Sequence, residues 1–533
     1  MSDNRKIAIS AFVMSVATFI SRVLGFIRDM IVARFFGASG VSDSFFVAFR
    51  VPNLLRELFA EGSMSSGFIP VLTQYRTNKG EAEAVDLVRV TFTFIVIAIG
   101  LTCVMGIVFA GPIVRLIAPG FVGDPAKFAG TVTLTRIMFP FLLFVSLSAL
   151  TMGALNTKKK FFVPAMASAF FNVAIIATII AFYDYFREPV MAVAIGVTVG
   201  GLAQFIWQLP IFFKNDYSLR PSFNFSHPGL KRIGALVFPA AAGTAVAQFN
   251  IFMSTILASY LPTGSITYLY YAMRLIQFPV GIFGVAMGMA VLPALSEQAS
   301  RGDFETLTRD FAFSLKLLFA ITVPSMVGLI VLAQPIVTVL LQRGQFDHAA
   351  VRATASALVC YSMGIWAMVG VRVVASTFYA MQNTRTPVKT AMISVLANVF
   401  LSIILMQYLS HAGLALANAL ASALNFSLLF YLLRGRLLTL DAGDIGVAFM
   451  KTLTASLAMG LAGWYMVSLR HWDSSGGGLG KAVFLACTIA LCVVAYTLVA
   501  WVLRSEEIRY IFQVIMARRR GRKTLKHQEA ADE

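Results

Sequence analysis

The residues best suited to bind a charged ligand are charged side chains embedded in two apolar segments near the amino terminus. In the first segment, Arg22, Arg28 and Asp29 interrupt an apolar run that also contains Gly25. At about 100° per residue, Arg22, Gly25 and Asp29 share one face of a helix. An arginine at the middle of a bilayer costs about 2.5–3.5 kcal/mol on insertion scales. We therefore expect these groups to line a wet cavity or to pair internally.

The second segment carries a similar polar stripe. Asn53, Glu57 and Glu61 share one face of a helix, and Arg56 lies close beside them. A guanidinium group offers several donors in a planar geometry that suits phosphate oxygens. These stripes favour a site for an anionic ligand. The alternative is that the arginines form ion pairs with Asp29, Glu57 or Glu61 that only hold helices together.

Two arginines in the second half of the chain are further candidates for this site. Arg274 lies at the position that an internal repeat relates to the second segment, and Arg372 interrupts the run Gly370–Val374. Breaks in helices next to these charges supply bending points. We predict hinges at Gly25, Pro52 and Gly284.

The composition determines the class of protein that contains these residues. Of 533 residues, 58% are hydrophobic and 13% are charged, which is outside the range of soluble domains. Apolar runs of about 20 residues, each long enough to cross a bilayer, recur from end to end. The sequence thus predicts an all-α integral membrane protein of about fourteen helices. The net charge of +18 is not clustered with aromatics on a soluble face, so nucleic acid is not an expected partner.

The distribution of lysine and arginine among the loops predicts the topology. The predicted spans are 7–33, 44–73, 88–113, 130–155, 161–183, 190–213, 231–260, 266–297, 310–335, 351–381, 388–409, 412–433, 447–469 and 481–504. Alternate loops differ about twofold in their basic residues, which are retained on the cytoplasmic side. Both termini are therefore expected in the cytoplasm, with a basic tail suited to anionic lipid headgroups.

Internal similarity predicts a bipartite architecture. Residues around Arg50 resemble those around Arg274 about 224 residues later, and residues around Asn172 resemble those around Asn398 in the same order. We expect two six-helix lobes joined by a connector rich in proline and polar residues. The predicted divisions are 1–213 for the amino-terminal lobe, 214–230 for the connector, 231–434 for the carboxyl-terminal lobe, 435–504 for two further helices and 505–533 for the tail.

No residues with the spacing of an active site or a metal site are evident. The five histidines are scattered through connectors and the tail without ligand spacing. A transport function is expected and an enzymatic one is not, with no metal and no cofactor.

Three segments carry a resemblance to a known family. Residues 21–29, 42–62 and 270–293 resemble the MurJ (MviN) family of lipid II flippases, which belongs to the multidrug/oligosaccharidyl-lipid/polysaccharide exporter superfamily. The resemblance implies two lobes around a cationic cavity, with a groove for a polyprenyl tail at the last two helices. By motif, the family's essential residues fall on Arg22, Arg28, Asp43, Arg56 and Arg274.

The implied substrate is undecaprenyl-pyrophosphoryl-MurNAc-pentapeptide-GlcNAc, moved from the cytoplasmic to the periplasmic leaflet by alternating access. Spans 231–260 and 388–409 contain no acidic residue, where some members have a proposed sodium site, so membrane potential is the expected energy source. We expect Asp29, Asp43, Glu57 and Glu61 to act in gating or charge pairing, with Asp43 near the outer gate.

The expected setting is the bacterial inner membrane, with phospholipids and other cell-wall synthesis proteins as partners and a monomer as the oligomeric state. A flippase for another polyprenyl-linked glycan and a multidrug exporter of the same superfamily remain alternatives.

The topology generates a direct prediction for reporter fusions. Fusions expected to report periplasm follow residues 40, 264 and 475. Fusions expected to report cytoplasm follow residues 80, 159 and 436. A reversed pattern at any of the first four helices would contradict the scheme.

Overall fold

The computed structural model of this chain describes residues 3–58, 64–281, 285–437, 439–472, 478–510 and 513. Within these ranges all regular structure is helical and no strand occurs. The predicted all-α class is therefore confirmed. Glu61, Gly284 and the tail from residue 514 onwards lie outside the described residues, so their predicted roles stay predictions.

The helices follow one another with short connections. In the first half they are α1 (Asp3–Phe36), α2 (Gly40–Arg56), α3 (Ile69–Lys79), α4 (Glu81–Val108), α5 (Ala110–Ile117), α6 (Pro125–Met138), α7 (Phe141–Thr157), α8 (Phe162–Phe182), α9 (Val190–Ile206), α10 (Leu209–Lys214) and α11 (Pro228–Ser259). In the second half they are α12 (Ser265–Pro279), α13 (Val285–Ser300), α14 (Phe304–Val331), α15 (Ala333–Leu341), α16 (His348–Ser362), α17 (Ile365–Ala380), α18 (Arg385–Leu409), α19 (His411–Arg434), α20 (Ala442–Ser468) and α21 (Leu479–Val502). A π-helical turn covers Met64–Phe68 and a 3-10 turn covers Pro119–Gly123.

Ten segments among the described residues, each a single helix or two consecutive helices, are long and apolar enough to cross a membrane. They are α4, α6 with α7, α8, α9 with α10, α14, α16 with α17, α18, α19, α20 and α21. The other four predicted spans correspond to α1, to α2 with α3, to α11 and to α12 with α13. The multi-pass class is confirmed, and the count of about fourteen stays a prediction.

Several predicted spans are not single helices. The span 130–155 divides into α6 and α7 at Pro140, whose missing N–H and ring disfavour an uninterrupted helix. The span 351–381 divides into α16 and α17 around Gly364. In the span 44–73, α2 ends at Arg56 and π-helical residues follow. Hydropathy alone locates an apolar run but not a break within it.

The described chain forms two compact units. The first contains the residues up to Thr267 together with Gly344–Phe346, and the second contains the remainder. Accordingly α11, which the internal repeat assigns to the second lobe, packs in the first unit. The lobe boundaries taken from the repeat stay a prediction.

A buried core positions α11 within the first unit. It joins α3, α4, α7, α10 and α11 through the buried side chains of Leu72, Leu87, Leu150, Phe212 and Ile233. Because lipid tails are as apolar as these side chains, helix association in a bilayer depends on close packing and polar contacts. The packing holds α11 beside the π-helical turn that follows α2.

In the second unit, the last two helices are attached to α14. The Tyr496 hydroxyl of α21 donates to the Ala320 carbonyl at 2.7 Å. Lys316 forms an ion pair with Asp444 of α20. Around these contacts, Met459 and Cys492 are buried in a small core. Both additional helices are thus held by specific contacts with α14.

The carboxyl-terminal end of α11 packs closely against the 3-10 turn. The Gly120 N–H donates to Ser259 Oγ at 3.1 Å. A Cβ atom at Gly120 would lie 2.2 Å from the Ser259 carbonyl oxygen, whereas a Cβ at Gly123 would meet nothing within 4 Å. Since the obstruction at Gly120 is backbone, no side-chain rotation can relieve it.

We predict that Gly120→Ala lowers the thermal unfolding midpoint of the purified protein in detergent. Overpacking of this kind costs about 1–3 kcal/mol. Gly123→Ala, in the same turn, is the matched control and should leave the midpoint unchanged. Equal midpoints for both variants would contradict the observed packing of α11.

Candidate functional site

The charged residues of α1 differ in their surroundings. Arg28 donates to Asp29 Oδ1 through Nε at 3.1 Å and through Nη2 at 2.7 Å. Asp29 is only 3% exposed, so its carboxylate depends on this neighbouring charge. Arg22 is exposed, although it shares the predicted face with Asp29 and the buried Gly25. The alternative of internal ion pairing therefore applies to Arg28 and Asp29. Arg22 is more accessible than Arg28.

The end of α2 carries a connected set of polar side chains. Asn53 Nδ2 donates to Glu57 Oε1 at 3.0 Å, as the i,i+4 spacing predicts. Arg56 Nε donates to Asn53 Oδ1 at 3.1 Å. The other carboxylate oxygen of Glu57 accepts a hydrogen bond from Gln248 of α11. Four side chains, from the end of α2 and from α11, thus form one network that includes Arg56.

The backbone departs from α-helical geometry beside this network. Residues 57–58 are π-helical, and Pro52 is buried inside the preceding helix. In the second unit residues 280–281, at the repeat-related position, are also π-helical. Such turns frequently mark functional sites in helices. The hinge roles of Gly25 and Pro52 stay predictions.

Asp43 lies in the first turn of α2, and its carboxylate is fully bonded. Oδ2 accepts from the Gly264 N–H at 2.7 Å, and Oδ1 accepts from the Thr267 N–H and hydroxyl at 3.1 and 2.8 Å. Lys127 Nζ lies 3.3 Å from Oδ2, and Asp43 is 1% exposed. The carboxylate therefore caps the first turn of α12, where negative charge is favoured. The gating role of Asp43 stays a prediction, and the contacts of Asp43 with residues 264–267 are suited to that role.

The remaining candidates belong to the second unit. Arg274 is half-buried on α12, and Arg372 is exposed on α17. Their convergence on the same ligand as Arg56 stays a prediction.

Gln248, Lys127 and Thr267 are contact residues that sequence reasoning did not identify. Gln248 is an amide within an apolar run and only 9% exposed, which is a signal for an interhelical contact. Thr267 is related to Asp43 by the same repeat offset of about 224 that relates Arg274 to Arg50. Asn172, noted only for its place in the repeat, donates to the Ser21 carbonyl of α1 at 3.3 Å.

Chemically, this arrangement is suited to binding and not to bond cleavage. Its carboxylates accept hydrogen bonds from amides, hydroxyls or cations. Among the described residues, no group of three or more His, Cys, Asp or Glu side chains could hold a metal ion. Guanidinium and amide donors such as those of Arg56 and Asn53 at the end of α2 can recognise an anion.

Comparison of the fold defines the class of protein. A solved inward-facing multidrug resistance MATE family transporter of the MOP superfamily matches with a TM-score of 0.63 at 13% identity, covering 81% of this chain and 98% of that one. A structure of the lipid II flippase MurJ in an inward closed conformation matches with a TM-score of 0.76 at 26% identity, covering 92% and 98%. The chain shares the fold of these solved MurJ and MATE transporters.

Sequence comparison narrows the class to one family. The sequence profile described as lipid II flippase MurJ matches residues 32–476. A probable lipid II flippase MurJ of Vibrio cholerae is 33% identical over 92% of this chain and 97% of its own length. The lipid II flippase MurJ of Burkholderia cenocepacia is 35% identical over 91% and 95%. The chain belongs to the MurJ family, which confirms the resemblance seen in its motifs.

The contacts of Asp43 suggest where a cross-link tests the outer gate. A Cβ at Gly40 would lie 3.5 Å from Thr263 Cγ2, so the two positions are close neighbours. We predict that Gly40→Cys with Thr263→Cys, in a background lacking the four native cysteines, forms a disulfide that stops transport until it is reduced.

Each single-cysteine variant is the control for this experiment, and Asp43 itself is left intact. Transport by the cross-linked protein at the uncross-linked rate would show that the two segments need not separate. The predicted rocking of lobes would then be wrong for this chain.

Proposed function

We propose that this chain is a lipid II flippase. It moves undecaprenyl-pyrophosphoryl-MurNAc-pentapeptide-GlcNAc from the cytoplasmic to the periplasmic leaflet of the bacterial inner membrane, and no covalent bond changes. Membership of the MurJ family supports this substrate, as does the name of the relatives. The structural observation that carries the proposal is the network of Arg56, Asn53, Glu57 and Gln248, which joins the end of α2 to α11.

Recognition of the headgroup rests on the pyrophosphate. The Nε contact with Asn53 restrains the Arg56 guanidinium and fixes its plane. A planar fork can approach two phosphate oxygens at once, which a lysine ammonium cannot do. Arg274 and Arg372 supply further positive charge, and Arg22 and Arg28 complete the set on α1. Alternating access then carries the bound headgroup across while the polyprenyl tail follows a groove at α20 and α21.

Three carboxylates of the first unit already have cationic or hydrogen-bonding partners, which disfavours a drug exporter. Organic cations are bound by aromatic faces or by carboxylates available to them. In the first unit Asp29 is paired with Arg28, Asp43 accepts three hydrogen bonds beside Lys127, and Glu57 accepts from two amides. A flippase for another polyprenyl-linked glycan shares the pyrophosphate chemistry. Transport assays with both lipids separate these functions.

Membrane potential is the proposed energy source. An anionic headgroup moving outward travels toward the positive side, and each elementary charge gains about 2.3 kcal/mol per 100 mV. Collapsing an imposed potential in vesicles should therefore slow transport, and an unchanged rate would contradict this source. The protein is proposed to act as a monomer with both termini in the cytoplasm, among anionic phospholipids and other cell-wall synthesis proteins.

We predict that Arg56→Ala and Arg274→Ala each weaken lipid II binding by roughly ten- to a hundredfold. One charge-assisted contact is worth about 1.5–3 kcal/mol, which corresponds to that range. Arg56→Lys and Arg274→Lys should recover only part of the loss, because an ammonium lacks the planar fork.

The measurement combines lipid II binding by purified protein with complementation of a bacterium depleted of its flippase. Arg434→Ala, at the end of α19, is a control that removes a positive charge from the predicted cytoplasmic surface. Normal lipid II transport by Arg56→Ala or Arg274→Ala at normal expression would contradict the assignment of that arginine.

A further inference from the structure

Phe182, Tyr185 and Phe186 form an aromatic cluster at the junction of α8 and the loop that leads to α9. The ring centroids of Phe182 and Tyr185 are 6.1 Å apart and those of Tyr185 and Phe186 are 5.4 Å apart, both in edge-to-face geometry. Tyr185 is 79% exposed and Phe182 is 45% exposed. The cluster therefore presents much of its apolar ring surface outward and not to the interior of the first unit.

The position of the cluster along the chain locates it at a membrane surface. It follows α8, and the segment that begins at Val190 comes next; both are long and apolar enough to cross a membrane. The 21 residues of α8 end at Phe182. At about 1.5 Å per residue, a helix of this length matches the roughly 30 Å of the hydrocarbon layer. A short loop between two such crossings lies at the boundary between hydrocarbon and water.

Charged residues in the same loop indicate the side that faces water. Asp184, Arg187 and Glu188 are all exposed and are interspersed with the aromatic residues. Aromatic side chains are enriched at the headgroup level of membranes, where their rings contact lipid while charged groups stay in water. An exposed apolar patch marks a binding surface, and lipid is the partner that the adjoining helices already require.

We propose that the aromatic cluster is an interfacial anchor that binds the headgroup region of the phospholipid bilayer at this end of α8. The predicted topology places that end in the periplasmic leaflet. The inference requires that α8 crosses the membrane and does not depend on which substrate the protein transports.

Tyr183, within the same loop, joins the anchor to the end of α1. Its ring centroid lies 4.6 Å from that of Phe35 and 5.7 Å from that of Phe36. Its hydroxyl donates to the Phe35 carbonyl at 3.4 Å. An anchor at the lipid headgroups therefore also holds the carboxyl-terminal end of α1 at the membrane surface.

The experiment measures the depth of a fluorescent label on the full-length protein in phospholipid nanodiscs. Tyr185→Cys carries the label in a background that lacks the four native cysteines. We expect a phospholipid with a nitroxide close to its headgroup to quench this label strongly, and aqueous iodide to quench it weakly. Glu188→Cys, in the same loop, is the matched control and should show the reverse. Val173→Cys, at an exposed position near the middle of α8, should be quenched most by a nitroxide at the chain end.

Quenching at position 185 by the headgroup nitroxide, with protection from iodide, supports the anchor. A label at 185 that is as open to iodide as the label at 188 overturns the proposal, because the rings would then face water or a soluble partner. Quenching at 185 mainly by the chain-end nitroxide also overturns it, because the cluster would lie within the hydrocarbon. If the protein labelled at 185 does not reconstitute, Phe182→Cys is read in the same way.

Discussion

A carboxylate removed from water inside a membrane protein must have a partner, and the structure of the first unit depends on how each one is compensated. Asp29 is compensated by Arg28, its neighbour in sequence. Asp43 is compensated by backbone N–H groups, a hydroxyl and Lys127. Glu57 accepts from neutral amides instead. The contacts of Asp43 and Glu57 also join separate segments, so these polar groups contribute to the packing that surrounds them.

These three ways of compensating a carboxylate have different electrostatic consequences. A close ion pair removes net charge from its surroundings, as at Asp29. Neutral amides satisfy a carboxylate without adding positive charge, as at Glu57.

The all-α class and the multi-pass nature followed from hydropathy, and the Asn53–Glu57 contact followed from helical spacing. Motifs around Arg22, Arg28 and Arg56 also predicted the family. Contacts between distant segments did not follow in this way, because the face that α11 turns toward α2 is set by packing of the whole unit. Gln248 was consequently missed, and hydropathy did not locate the break at Pro140.

The position of Asp43 shows an intermediate case. The helix turn that Asp43 caps lies more than two hundred residues further along the chain. Thr267, which contacts Asp43 there, occupies the position that the internal repeat relates to Asp43, so the repeat could have predicted this contact. Arg22 is the opposite case, since its helical face was predicted by angle, and that angle gave no information on exposure. A helical projection orders residues around one axis, and it does not say what lies opposite them.

The most direct test of the central claim is the transfer of lipid II between leaflets of proteoliposomes containing only this protein. Lipid II that reaches the outer leaflet is detected by an impermeant reagent, and an uncharged polyprenyl glycan in the same vesicles serves as the reference. The account predicts that lipid II is transferred well above the rate in protein-free vesicles while the uncharged lipid is not. Equal transfer of both lipids, or no transfer of lipid II, would contradict recognition of the pyrophosphate by the embedded arginines.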